Sequence, residues 1–269
     1  MNELTGTIPT EIYAMRELRE LSLPYNLLTG ALDLELFRQA TELQTLRLEH
    51  NLFSGTIPTE LANLSMLRTL ATSSNMFTGT LPSNHGEMVT LESVSHESNL
   101  LAGTMPTFFG NLTRLRNLVL GTNYWTGTIP SEIGMLTELR VFTLSKTDVT
   151  GSIPTEFYQL TNMMWLNLKD NHLSGLVNGA GLANFTKLKA VALAKNFFTG
   201  TLPTELSSLV HLTHFTFYFN DFVGSVPFEF CPMVKLTADC AGPDPVQKCP
   251  CCTACCSREE RLCWLQPTE

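Results

Sequence analysis

The chain has 269 residues, is 43% hydrophobic and 16% charged, and carries a formal net charge of −8. This composition suits a folded chain, and the acidic balance argues against a nucleic-acid partner. No apolar run approaches the ~18 residues of a membrane-spanning helix, and the first residues lack the basic and apolar regions of a signal peptide.

In chain order, the first predicted element is the phrase Thr5-Gly6-Thr7-Ile8-Pro9-Thr10. It returns with small changes at 54–59, 126–131 and 199–204. Its glycine recurs as Gly6, Gly30, Gly55, Gly79, Gly103, Gly127, Gly151, Gly175, Gly200 and Gly224, always 24 or 25 residues apart. A fixed period of this size means stacked units that bury their apolar faces only against one another. One elongated solenoid is therefore predicted. Asn2 stands four residues before Gly6, as Asn26 does before Gly30, so the chain opens inside a repeat. That opening is expected of a fragment of a longer protein, which would leave the missing signal peptide uninformative.

Upstream of each glycine lies L-x-x-L-x-L-x-x-N, as in 18–26, 43–51, 115–123 and 188–196. The alternation predicts a short strand with leucines inward. Nine such strands in parallel make a sheet about 40 Å long. The closing position is Asn in nine of ten coils and Thr at 147. A buried Asn can tie backbone groups of adjacent coils, so Thr147 predicts a soft spot that Thr147→Asn would relieve by about 1 kcal/mol. After the glycine comes a second extended segment, ended by proline in eight of ten coils, the exceptions following Gly30 and Gly175. A helical or 3₁₀ turn then forms the back of each coil.

The full pattern, L-x-x-L-x-L-x-x-N-x-L-T-G-x-I-P-x-E-L-x-x-L, resembles the plant-type leucine-rich repeat over residues 1 to about 236. The resemblance implies an α/β solenoid, a right-handed superhelix with a parallel sheet on its concave face and short turns on its convex face. Residues 237–269 are expected to form a Cys-rich cap. The tail from Leu236 also resembles the ending of leucine-rich-repeat proteins of diatom-like algae, including receptor-like kinases. No kinase motif lies in these residues.

All eight cysteines come late: Cys231, Cys240, Cys249, Cys251, Cys252, Cys255, Cys256 and Cys263. A disulfide-stapled cap in an oxidising compartment is one reading. A zinc site on the C-x-C-C-x-x-C-C run is the other. Three sequons, at Asn63, Asn111 and Asn184, fall in one convex slot and agree with secretion. An extracellular or cell-surface location is expected, with the cytoplasm as the alternative.

No P-loop, HExxH or G-x-S-x-G motif is present, so neither enzyme nor cofactor is predicted. His96 and Thr72 replace core leucines, and His96 is expected to be a partly exposed histidine in a loosely packed strand. The concave positions of the nine coils hold nine basic and five acidic residues, or +4, leaving −12 elsewhere. Such a face can steer an acidic ligand. The candidate ligand-binding residues are Arg140, Lys146, Trp165, Lys169, Lys189, Lys195, His214, Tyr218 and Phe219, because cations and aromatics together make recognition anchors. Trp125 takes a core slot. Leu27, Leu52, Met76, Leu100 and Tyr124 form an apolar stripe that could serve self-association.

Three functions compete. One is a secreted or receptor-like recognition module for a protein, a peptide or an acidic glycan. Another is an intracellular scaffold with a zinc-bound tail. The third is ice binding through the Thr and Ser residues that flank each glycine.

Overall fold

A computed structural model describes residues 3–32, 34–230, 235–238, 254–257 and 262–265. Nine three-residue strands, from Glu20–Ser22 to His214–Thr216, lie side by side in chain order and pair in parallel. They number the coils one to nine. The leucines stack in register, Leu21 beside Leu46 and Leu46 beside Leu70, and all three are buried. Side chains on the opposite face of the pleat point into the concavity.

The strands are closed by a ladder of buried asparagines. Asn75 Oδ1 accepts the Phe53 N–H of the preceding coil at 3.0 Å. Its Nδ2 donates to Leu48 O of that coil at 2.9 Å and to Thr72 O of its own at 3.0 Å. Asn99, Asn123, Asn196 and Asn220 repeat the set. The residue before each slot turns the corner in the left-handed region, with φ from 53° at Thr122 to 63° at Asp170. Non-glycine residues pay for that conformation, and the asparagine bonds on either side offset the strain.

The glycine phrase forms a second parallel sheet along the flank. Six strands run from Thr5–Gly6 to Tyr124–Thr126 and four from Thr150–Gly151 to Asp221–Phe222, joined by a bridge between Thr128 and Thr150. Gly103 shows why a side chain is excluded: φ is +98°, and a Cβ would lie 2.9 Å from Thr80 Cγ2 of the preceding coil.

On the back, every coil with a proline makes a 3₁₀ turn. The two without it make α-helices, α1 (Leu34–Gln39) and α2 (Gly179–Ala183). Those are the 25-residue repeats, where the extra residue completes a wider turn. Asn178 caps α2 by accepting the Gly181 N–H at 2.9 Å. A Cβ on Gly179 would lie 2.2 Å from Pro203, and one on Gly181 would lie 2.5 Å from the Tyr158 ring.

The tail departs from the repeat. Strands Lys235–Ala238, Ala254–Ser257 and Leu262–Leu265 lengthen the concave sheet to twelve, the last pair antiparallel. Cys256 stands opposite Cys263 in that pair. Cys231, Cys240, Cys249, Cys251 and Cys252 lie outside the described residues.

Coil six departs from its neighbours at the expected soft spot. Thr147 donates its hydroxyl to Asn171 Oδ1, which also takes the Val149 N–H at 3.4 Å instead of the usual 3.0 Å. By the pattern of the other coils, an asparagine at 147 would donate to Leu120 O. The indole Nε1 of the fully buried Trp125 occupies that acceptor at 3.0 Å, beside Asn123 Nδ2 at 3.1 Å. Both lone pairs are thus filled. Thr147→Asn alone should leave stability unchanged, because its amide competes with the indole. With Trp125→Phe present, the same change should gain about 1 kcal/mol. A double-mutant cycle in urea measures this; equal gains in both backgrounds would refute the compensation.

Candidate ligand-binding face

The strands set Trp165, Ala190 and His214 in one row across coils seven to nine. Arg140, Lys146, Lys189, Lys195, Trp165 and His214 are exposed on this end of the concavity, and Lys169, Tyr218 and Phe219 are half-buried. Lys169 Nζ sits 5.5 Å from the centre of the Tyr218 ring, a cation–π distance. Tyr218 meets Phe219 edge to face at 5.1 Å.

The two halves of the face differ in how their cations are used. Glu92 accepts both Arg68 at 2.7 Å and Arg116 at 3.2 Å, and Arg47 pairs with Glu49 at 3.3 Å. At the other end Lys195 approaches Asp170 at 4.0 Å. Arg140, Lys146 and Lys189 make no ion pair among the described residues.

Where the strands turn the corner, a cleft of about 390 Å³ opens above the asparagine ladder. Asp170, His172, Lys195, Phe197, Phe219 and Asp221 line it. His172 stacks on Phe197 at 5.8 Å, with Asp148 Oδ1 3.5 Å from its Nε2. Sequence reasoning missed this cleft. Its one signal was the replacement of the apolar stripe by Asp148, His172 and Asp221. Leu27, Leu52, Met76, Leu100 and Tyr124 do stand out from the flank, between 41% and 56% exposed. Asn63, Asn111 and Asn184 are exposed at the ends of convex turns.

His96 differs from expectation. It is 1% exposed, and its Nδ1 lies 2.8 Å from the hydroxyl of Thr72, itself fully buried. The two polar intruders in adjacent coils thus pair with each other through the Thr72 hydroxyl and His96 Nδ1. Among the described residues no group of His, Cys, Asp and Glu could hold a metal, and no helix is long and apolar enough to cross a membrane.

A sequence model described as Leucine Rich Repeat matches residues 42–64. The ectodomain of the Arabidopsis receptor kinase HAESA, solved with an N-terminally extended IDA peptide hormone, is 31% identical, with a TM-score of 0.83. That match covers 91% of this chain and 40% of the other. The chain is a plant-type leucine-rich-repeat protein. This repeat protein is also similar to a TDR receptor, at 27% identity over 88% of this chain and 45% of that one, with a TM-score of 0.78. A plant ice-binding protein matches at 26% identity over 93% of this chain and 81% of that one, with a TM-score of 0.79. The repeat protein spans less than half the length of the plant receptors it matches. No curated protein matches it. Its fold and its neighbours are those of a leucine-rich-repeat module.

Burial and the neighbouring His85 push the pKa of His96 down to about 3, and burial also lowers His85. Unfolding frees both to take up protons below about pH 6.5. Stability is therefore whole above that pH and is lost as the pH falls, by up to about 1.4 kcal/mol per pH unit for one such group. Thr72→Leu with His96→Leu restores the repeat pattern and should flatten the slope between about pH 6.5 and 4. Urea midpoints across that range test it; an unchanged slope would count against His96 as its source.

Proposed function

We propose that this repeat protein recognises an acidic peptide with coils six to nine of its concave face and works outside the cell. One observation supports this most: three cations without ion pairs, Arg140, Lys146 and Lys189, lie beside Trp165, His214 and Tyr218. In the other half Arg47, Arg68 and Arg116 are paired with glutamates. Unneutralised charge beside exposed aromatics provides both steering and anchoring. The peptide hormone bound to HAESA supports the class of ligand. The receptor ectodomains among its neighbours and the exposed sequons support the location. The Cys-rich residues 237–269 would close the end of the solenoid as a disulfide-stapled cap.

Polyglutamate serves as a probe, with heparin as an acidic glycan for comparison. Arg140→Glu with Lys189→Glu should weaken polyglutamate binding about tenfold or more, roughly 1.4 kcal/mol, while Arg68→Glu should leave it unchanged. Equal losses in both variants would refute the site, and tighter binding of heparin would transfer it to glycans. Intact mass of the natively expressed protein tests the compartment. Glycan on Asn63, Asn111 or Asn184 with all eight cysteines resistant to alkylation supports secretion. Free thiols with bound zinc would place the protein inside the cell.

Ice binding is a second reading, favoured by the flank. The twenty positions on either side of the ten glycines hold no charged residue, and twelve of them from Thr5 to Thr201 are threonine. They repeat at the strand spacing of about 4.8 Å. The likeness to a plant ice-binding protein over 81% of its length supports this reading. Thermal hysteresis that disappears in Thr80→Arg with Thr104→Arg would establish it; an absence of hysteresis in the parent protein would remove it.

A further inference from the structure

Coil eight turns three alanines toward the concavity where its neighbours present large or polar side chains. Ala190 lies between Trp165 and His214, and Ala192 between Asn167 and Thr216. Ala194 is fully buried in the same coil. Above it Lys169 of coil seven reaches the Tyr218 ring of coil nine, a contact that a longer residue at 194 would obstruct. A short trench is therefore left over Ala190 and Ala192, closed at the Ala194 end by Lys169 and Tyr218.

The dimensions define what the trench can take. Strands about 4.8 Å apart put its two walls about 9.6 Å from each other. Two contact distances of about 3.5–4 Å leave room for one planar ring between Trp165 and His214. Trp165 is 47% exposed and stacks on no other ring among the described residues. His214 is steadied by Thr213, whose hydroxyl lies 2.9 Å from its Nδ1. Lys189, next to Ala190, supplies a positive charge at the rim. A methyl floor, two aromatic walls and a cation suit an aromatic ring attached to an acidic chain.

We infer that coil eight is the anchoring subsite of the peptide face: an aromatic side chain of the acidic peptide inserts between Trp165 and His214 over Ala190. This rests on the peptide reading above and adds a position and a side-chain class to it.

The test compares a Glu–Tyr copolymer with polyglutamate of equal length, by titration at one ionic strength. The copolymer should bind the parent protein about fivefold more tightly, the size of one aromatic pair. Ala190→Trp fills the trench without changing charge and should abolish that advantage, while Thr69→Trp, in the same row at coil three, should preserve it. Circular dichroism checks that both are folded, and Trp165→Leu gives a second route if Ala190→Trp is not. Equal affinities for the two polymers, or an advantage that survives Ala190→Trp and Trp165→Leu, would overturn the trench while leaving the charge-based face standing. Binding of neither polymer would overturn both.

Discussion

A buried amide in every coil but the sixth holds this molecule in register. Each asparagine of the ladder binds backbone groups of its own coil and of the preceding one, at the corner where the chain leaves the strand. A hydrophobic column alone would let coils slide, since stacked leucines are nearly interchangeable. Directional bonds in a dry interior do not allow that, because a displaced amide would leave donors and acceptors unmatched. The concave rows, the glycine flank and the convex turns all inherit their alignment from this corner.

Much of the architecture could be read from spacing. The glycine period, the leucine alternation and the asparagine slots each follow from local stereochemistry repeated many times, so a single sequence averages out its own exceptions. The exceptions themselves were harder. At Thr147 the sequence shows the missing amide but not that the indole of Trp125 reaches Leu120 O. His96 looked exposed because its partner, Thr72, is twenty-four residues away and meets it only after stacking. The strands in the tail lacked any periodic signal and were missed for that reason.

The candidate face shows the same division. Sequence position identified which side chains point into the concavity. It did not show that Glu92 engages two arginines at once, or that Arg140, Lys146 and Lys189 make no ion pair among the described residues. Nor did the three alanines attract notice, since small residues carry no chemistry of their own. Their meaning comes from the neighbouring coils, whose larger side chains turn an absence of bulk into a shaped space.

Coil eight is preceded on the convex side by α2, the wider of the two kinds of turn. A thicker element on the outside of an arc would act as a wedge, opening the back and tightening the inner curve. Gly179 and Gly181 counter this by letting the helix backbone sit directly against Pro203 and Tyr158. A coil can thus take a wider outer element and still pack closely against its neighbours. Shaping of the inner surface is left to side chains, so a single repeat can alter the lining while the stack stays intact.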